Sequence, residues 1–349
     1  MAAKKSHQNL MPVSLEEKFG YLLAEMRVSA RLVETTALVP EASLRHYYRL
    51  RFDDGRTLIG VNEDATSATT NMPNVIAVQK FLREHGVAVP EIYFADPAAG
   101  VMLQQDLGDL SLNQGLKDNP DKMDLLYQDA IRHMFSWQRL ADDGQCPAFR
   151  LSFDVEKLMF EFEFFITHTL LGYYGAKPSE GDLSRLRAQF LEIAESLAAP
   201  ERKVFTHRDY HSRNILMVGA STPLSHLAAK QYIIDFQDAR MGLMQYDLCS
   251  LLCDAYAPLS PERRAALLDF AFEQGKGIHR QTRGEFDHYW QLSAFQRTVK
   301  AMGTFGRQAA LGRDDFAAYL NPAWQTLKEV SEQAPNLRQW AEKLEQYAG

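Results

Sequence analysis

Between Val204 and Leu216 the chain reads VFTHRDYHSRNIL, where His207, Arg208, Asp209, His211, Arg213 and Asn214 crowd between apolar residues. Asp209 and Asn214 stand five apart, and Asp235 follows in the apolar stretch IIDF. Asn214 offers a neutral oxygen and Asp235 a carboxylate, a pair that suits Mg²⁺ sharing its shell with phosphate oxygens. Asp209 is then left to accept a hydrogen bond from a hydroxyl and aim it at a γ-phosphate. Phosphoryl transfer asks for that division of labour, since its work is positioning and charge neutralisation. Alone, H-x-D-x-x-x-x-N is also explained by polar loop residues that satisfy backbone groups. The second aspartate, with YDLCSLL after it, makes coincidence the poorer reading. His207 reads as a packed loop residue, and Asp247 as a tie between loop and helix.

The bulk properties bound the setting. The chain has 349 residues, room for two domains or one two-lobed domain with a sizeable core. Hydrophobic residues at 46% and charged ones at 24% are ordinary for a globular protein. A net charge of -7 argues against nucleic acid or an anionic membrane as the main partner. No apolar run approaches the ~20 residues of a membrane helix. The basic start MAAKKSHQNL lacks the apolar segment of a secretory signal. Cys146, Cys249 and Cys253 form no disulfide framework, and the last two read as a buried helix face rather than metal ligands. A reduced, cytoplasmic protein without an obligate protein partner is expected.

The elements that must position these residues change along the chain. SLEEKFGYLLAEM opens with Ser14 and Glu17 in capping-box spacing and predicts a helix. RLVETTALV, RHYYRLRF and TLIGVNE predict three antiparallel strands separated by PEAS and DDGR turns. NVIAVQKFLREHG predicts a helix stopped by Gly86, and EIYFAD and VMLQQD two more strands. From residue 107 the pattern is mostly helical, DVEKLMFEFEFFITHTLLG included, with short strands flanking the polar loops. The expectation is an α+β, two-lobed fold: a small strand-rich lobe over residues 1–106 and a helical lobe over 107–349, hinged near DLGD.

HRDYHSRN followed by IDFQDA resembles the catalytic and metal loops of the aminoglycoside phosphotransferase-like, protein-kinase-related superfamily, and the likeness spans nearly the whole chain. RHYYR, LQQDLGD, YDLCSLLCD and QRTVKAMGTFGR, in that order, resemble more narrowly the anomeric N-acetylmuramate/N-acetylglucosamine kinases of cell-wall recycling. The resemblance implies ATP and Mg²⁺ as cofactors, Asp209 as catalytic base, and Asn214 with Asp235 as metal ligands. It places adenine against the main chain around Gln105 and Leu107. PEASLR, with Ser43, would then lie over the phosphates.

One departure stands out. TLIGVNE lacks the lysine expected to grip the phosphates, and NVIAVQKFLRE lacks its glutamate partner. Arg45 or Arg49 is expected to take over, because a guanidinium holds phosphate bidentately. The alternative is a non-catalytic, nucleotide-binding pseudokinase.

Only ten residues, FQDARMGLMQ, separate Asp235 from Tyr246, too few for a regulatory activation segment or a peptide platform. A small-molecule acceptor is therefore expected: a sugar hydroxyl, or in the alternative an aminoglycoside, choline or homoserine-type metabolite. Glu163, His211 and Arg213 are the candidate acceptor contacts. Glu161 and Glu163 cannot share one pocket on a regular helix. Arg297 and Lys300 share a helix face with Arg307 further along; the face is either solvated or meets a substrate carboxylate.

Overall fold

The computed structural model describes residues 15–38, 45–63, 71–219, 229–332 and 334–348. The chain divides into two compact units, one from the chain up to Gln79 with Pro90–Leu107, the other from Lys80–Val89 with Gly108 onward.

In the first unit helix α1 (Leu15–Glu25) packs on a five-stranded antiparallel sheet of β1 (Leu32–Ala37), β2 (His46–Phe52), β3 (Thr57–Asn62), β4 (Ile92–Asp96) and β5 (Val101–Gln105). The strand order is β1-β2-β3-β5-β4. The five strands are those expected from the sequence. Ser14 and the PEASLR segment up to Leu44, Ser43 included, lie outside the described residues. Gly55, at φ 84°, makes the tight DDGR turn between β2 and β3 that a Cβ would strain. Gly60 has another purpose. A Cβ there would come within 2.6 Å of the Phe19 ring, so the bare backbone lets α1 settle on the sheet. Phe19, Leu22, Leu50, Phe52, Val101 and Leu103 form the core beneath it. Because His46 pairs with Asn62, Arg45 and Glu63 follow on opposite sides of the β2–β3 ladder.

Helix α2 (Met72–Glu84) ends at Gly86, which is left-handed at φ 79°, as expected of a glycine stop. The second unit is mostly helical: α3 (Leu112–Asp118), α4 (Met123–Gln138), α5 (Val155–Phe165), α6 (Glu180–Ala198), α7 (Gln245–Leu252), α8 (Pro261–His279), α9 (Arg283–Ala310), α10 (Asp314–Ala317), α11 (Leu320–Ser331) and α12 (Pro335–Ala348). Two short antiparallel pairs carry the polar loops: β6 (Val204–Thr206) with β9 (Arg240–Gly242), and β7 (Ile215–Val218) with β8 (Lys230–Ile233). A small antiparallel sheet and a mainly helical remainder are the α+β fold the sequence predicts.

The continuous helix expected over DVEKLMFEFEFFITHTLLG widens instead to a π-helix at Ile166–Tyr173. The cause lies across from it on α9. A Cβ on Gly303 would sit 3.2 Å from the Phe165 backbone, and one on Gly306 would fall 2.2 Å from the Thr169 Oγ1. The two glycines admit a crossing that larger residues would forbid, and Thr169 donates to the Met302 carbonyl at 2.7 Å. That contact sets how closely α9 packs against the π-helix. The long apolar stripe of α9, from a Thr282–Glu285 capping box onward, buries Phe295, Val299 and Met302 in the core of this unit.

Candidate active site

Asp247, fully buried on α7, anchors the loop after β6. One oxygen accepts from the His207 amide at 2.8 Å and the Trp137 indole at 3.1 Å; the other accepts from the Arg208 amide at 2.9 Å. Burial pushes its carboxyl above the ordinary aspartate range, although all three donors favour the charged form. His207 Nε2 faces the Ile234 carbonyl at 2.9 Å, and its Nδ1 accepts from the Asp209 amide at 3.3 Å. This fixes the tautomer with the proton on Nε2. His207 and Asp247 thus have the scaffold roles expected of them.

Arg208 is held at φ 81° and Asp235 at φ 66°, both left-handed. Non-glycine residues there cost ~1–3 kcal/mol each and persist only where neighbours over-determine them. At Arg208 the neighbours are visible. Its amide is tied to Asp247, and its guanidinium reaches Glu161 at 3.0 Å and Asp238 at 2.8 Å. Glu161, buried on α5, also accepts from Gln296 at 2.9 Å.

Asp209 meets two cations from α9. Lys300 Nζ donates to its Oδ1 at 2.5 Å and Arg297 Nη2 at 3.3 Å, while Arg297 Nε donates to Ser250 at 2.8 Å. Burial alone would raise the Asp209 carboxyl. Lys300, Arg208 and Arg297 outweigh it and hold the group well below the ordinary carboxylate range. Lys300 moves the other way: burial, with Arg297 and Arg208 repelling it, brings it down to about 8. Several cations share two carboxylates here, so the lysine gains less than the aspartate does. The solvated-face reading of Arg297 and Lys300 therefore does not hold. Arg307, further along the helix, does point outward, over the Phe164 ring at 5.9 Å.

Asn214 Nδ2 donates to the Asp209 carbonyl at 2.9 Å and lies 3.5 Å from Asp235 Oδ2. With its nitrogen so committed, the amide oxygen is left as a ligand atom. Among the described residues there is no group of three or more His, Cys, Asp or Glu side chains able to hold a metal. One amide oxygen and one carboxylate still fit Mg²⁺, which keeps waters and takes phosphate oxygens rather than a full protein cage.

The other expected residues fall out differently. Asp209, His211, Cys253, Tyr256, Arg297 and Lys300 line one pocket. Burial pushes the His211 imidazole down to about 3, so it is neutral there. Arg213 is engaged elsewhere: its guanidinium stacks 3.8 Å from the Tyr256 ring centre and donates to the Tyr319 hydroxyl at 2.6 Å. It backs the pocket wall instead of facing in. Glu163 is not brought to the loop at all. Arg187 on α6 donates to both its oxygens at 2.6 and 3.0 Å, while Glu161, two residues earlier, turns inward. The signal was in the sequence: Leu158, Phe162 and Phe165 mark the buried face, where position 161 belongs and 163 does not.

In the first unit Arg49 makes a two-pronged contact with Asp106, at 2.7 and 3.1 Å. Arg45 pairs across the ladder with Glu63 at 3.6 Å, and both side chains are buried. A cation–carboxylate pair therefore does exist in this unit, on residues other than those where TLIGVNE and α2 lack one. Gln105 closes β5 against Glu91, its amide donating at 2.8 Å, and Leu107 is buried.

Three comparisons bear on this arrangement. The chain is 29% identical over 316 residues to an N-acetylmuramate/N-acetylglucosamine kinase of Pseudomonas putida, covering 88% of this chain and 87% of that one. It is 25% identical to the kinase of that name from Neisseria meningitidis, covering 90% and 89%. Among solved structures it resembles the ADP-bound aminoglycoside phosphotransferase APH(2'')-Ib (TM-score 0.59, 12% identity, 88% of this chain and 98% of that one). The choline kinase LicA of Streptococcus pneumoniae is equally similar (TM-score 0.59, 12% identity, 90% and 99%). The fold is thus the kinase-like one expected. The family model that describes the phosphotransferase enzyme family matches residues 36–285, from β1 through the whole Asp209–Asn214–Asp235 arrangement to the start of α9, and the chain belongs to that family.

Proposed function

We propose that the chain transfers the γ-phosphoryl group of ATP to the anomeric hydroxyl of N-acetylmuramate or N-acetylglucosamine. Asp209 accepts the hydroxyl proton, and Asn214 with Asp235 hold Mg²⁺. When bound, that ion neutralises the phosphates and orients them. The observation that carries the acceptor class is the lining of the Asp209 pocket, where Arg297 and Lys300 meet the base. Two cations there face two carboxylates, Asp209 and Asp254, so the pocket lacks the excess of acid that a polycationic aminoglycoside or a choline wants, and a neutral or anionic sugar suits it better. The names of the two bacterial relatives agree with that choice. An anomeric hydroxyl is also more acidic than an ordinary alcohol, which suits a base as weak as this one. Mg·ATP consumption against both amino sugars, an aminoglycoside and choline tests the reading. Sugar-dependent ADP release supports it; tight ATP binding without turnover of any acceptor supports the pseudokinase instead.

On the nucleotide side Arg45 is the proposed phosphate cation, with Glu63 holding it as the missing glutamate would. Arg49, spent on Asp106, is the comparison. Arg45→Ala should weaken ATP binding by ~10-fold or more, the ~1.5–3 kcal/mol of a hydrogen bond to a charged group. Arg49→Ala should weaken it less. Titration calorimetry with a non-hydrolysable nucleotide reads both, and equal affinity in all three proteins would remove the assignment.

A further inference from the structure

Of the two α9 cations beside Asp209, Lys300 alone keeps donors in reserve. An ammonium carries three donors. The only hydrogen bond Lys300 makes among the described residues is to Asp209 Oδ1, at 2.5 Å. Its neighbours are committed differently. Arg297 is spent on Ser250 and Asp209, Arg208 on Glu161 and Asp238, and Arg213 on Tyr319 and the Tyr256 ring. Lys300 is also the less enclosed of the two α9 cations, its side chain 14% exposed against 8% for Arg297, and it lines the pocket beside the base. It therefore has donors to give to whatever reacts at Asp209.

We propose that Lys300 is a catalytic residue: it donates to an oxygen of the phosphoryl group in flight while it steadies Asp209. This rests on the reading above that Asp209 serves a phosphoryl transfer. In that step a bond forms from the acceptor oxygen to the γ-phosphorus and the bond from that phosphorus to the β,γ-bridging oxygen breaks. The bond pair leaves with ADP, and the acceptor proton goes to Asp209. An acceptor oxygen held by Asp209 must close to ~3–3.5 Å from phosphorus, so the phosphoryl oxygens come within reach of the ammonium already bonded to that carboxylate. Charge on those oxygens is what such a donor stabilises. Lys300 keeps its proton throughout.

The competing role is a contact to the lactyl carboxylate of N-acetylmuramate, which N-acetylglucosamine lacks. The two sugars separate these roles. Lys300→Met should lower kcat ~10²–10³-fold, the usual effect of losing one transition-state donor, and equally for both sugars. The KM for each sugar should change less than about threefold, since a donor used only in flight leaves ground-state binding alone. Binding of ADP with aluminium fluoride and sugar should weaken in parallel with kcat. Lys300→Arg should recover part of the rate and move the alkaline limb of kcat/KM upward. In the free enzyme that limb is expected near 8, because burial first, then Arg297 and Arg208, press the ammonium down against the pull of Asp209 and Glu161. Lys300→Gln, close in size, checks that a loss is not one of folding, read by thermal melting. An unchanged kcat, or a higher KM for N-acetylmuramate alone, would overturn the proposal. So would a lost kcat with the aluminium fluoride complex as tight as before. If the wild type phosphorylates some other hydroxyl, the same series is run with that acceptor, so a failed substrate reading and a failed Lys300 role give different results.

Discussion

Asp209→Asn is expected to lower turnover ~10²–10⁴-fold, the range a positioned general base supplies, with little change in nucleotide affinity. The substitution is nearly isosteric, and an amide oxygen at Oδ1 still accepts from Lys300 and Arg297. What it removes is the oxygen proposed to take the acceptor proton. It also leaves Lys300, Arg297 and Arg208 facing one carboxylate fewer, so some loss of stability accompanies the loss of rate. The two separate cleanly: initial ADP release at saturating sugar reads the first, and urea unfolding the second. A variant that keeps a tenth of the wild-type kcat would deny Asp209 the role of base.

The second large effect belongs to a residue that touches no substrate. Asp247→Ala strips the acceptor from the buried Trp137 indole and His207 amide and from the part-buried amide of Arg208. Each orphaned buried donor costs ~1–3 kcal/mol, so the sum approaches the whole stability of many domains. The damage also has a direction. Arg208 keeps its left-handed backbone because Asp247 holds its amide and Glu161 and Asp238 its side chain. Released from the first, the loop relaxes and carries Asp209 away from Lys300. Whatever fraction of Asp247→Ala stays folded should therefore be nearly inactive. Asp247→Asn should fall between, since one amide oxygen remains to accept. Denaturant midpoints for the three proteins check the order. An Asp247→Ala midpoint equal to wild type would mean the loop is held by something else.

The parts of this molecule that could be read in the sequence are those governed by local pattern. Period-two strands with a DDGR turn, a helix closed by Gly86, and H-x-D-x-x-x-x-N ahead of IDF each depend on neighbours a few residues away. The parts that could not be read depend on where distant segments meet. Arg297 and Lys300 lie 88 and 91 residues from Asp209, and nothing in QRTVKAMGTFGR names their partner. A hint was present. From His288 to Arg313 the chain holds no acid, so Arg297, Lys300 and Arg307 have no acidic residue three or four positions away on their own helix. The π-helix depends likewise on Gly303 and Gly306, more than a hundred residues further on. Of Glu161 and Glu163, only one can face inward on a helix, and the phase of Leu158, Phe162 and Phe165 puts Glu161 inside and the candidate Glu163 outside. The Arg45–Glu63 pair follows from strand register alone, once the two strands are known to be paired.

If an anomeric oxygen receives the phosphate, the position of that phosphate on the sugar shows it. The protein is incubated with Mg·ATP and N-acetylglucosamine, then with N-acetylmuramate, and each product is read by phosphorus NMR. Coupling of the new phosphorus signal to the anomeric proton, in a product absent from the Asp209→Asn reaction, is the result expected. A phosphate on the 6-hydroxyl would contradict the anomeric assignment while leaving a kinase, and no sugar phosphate with either substrate would contradict the sugar as acceptor.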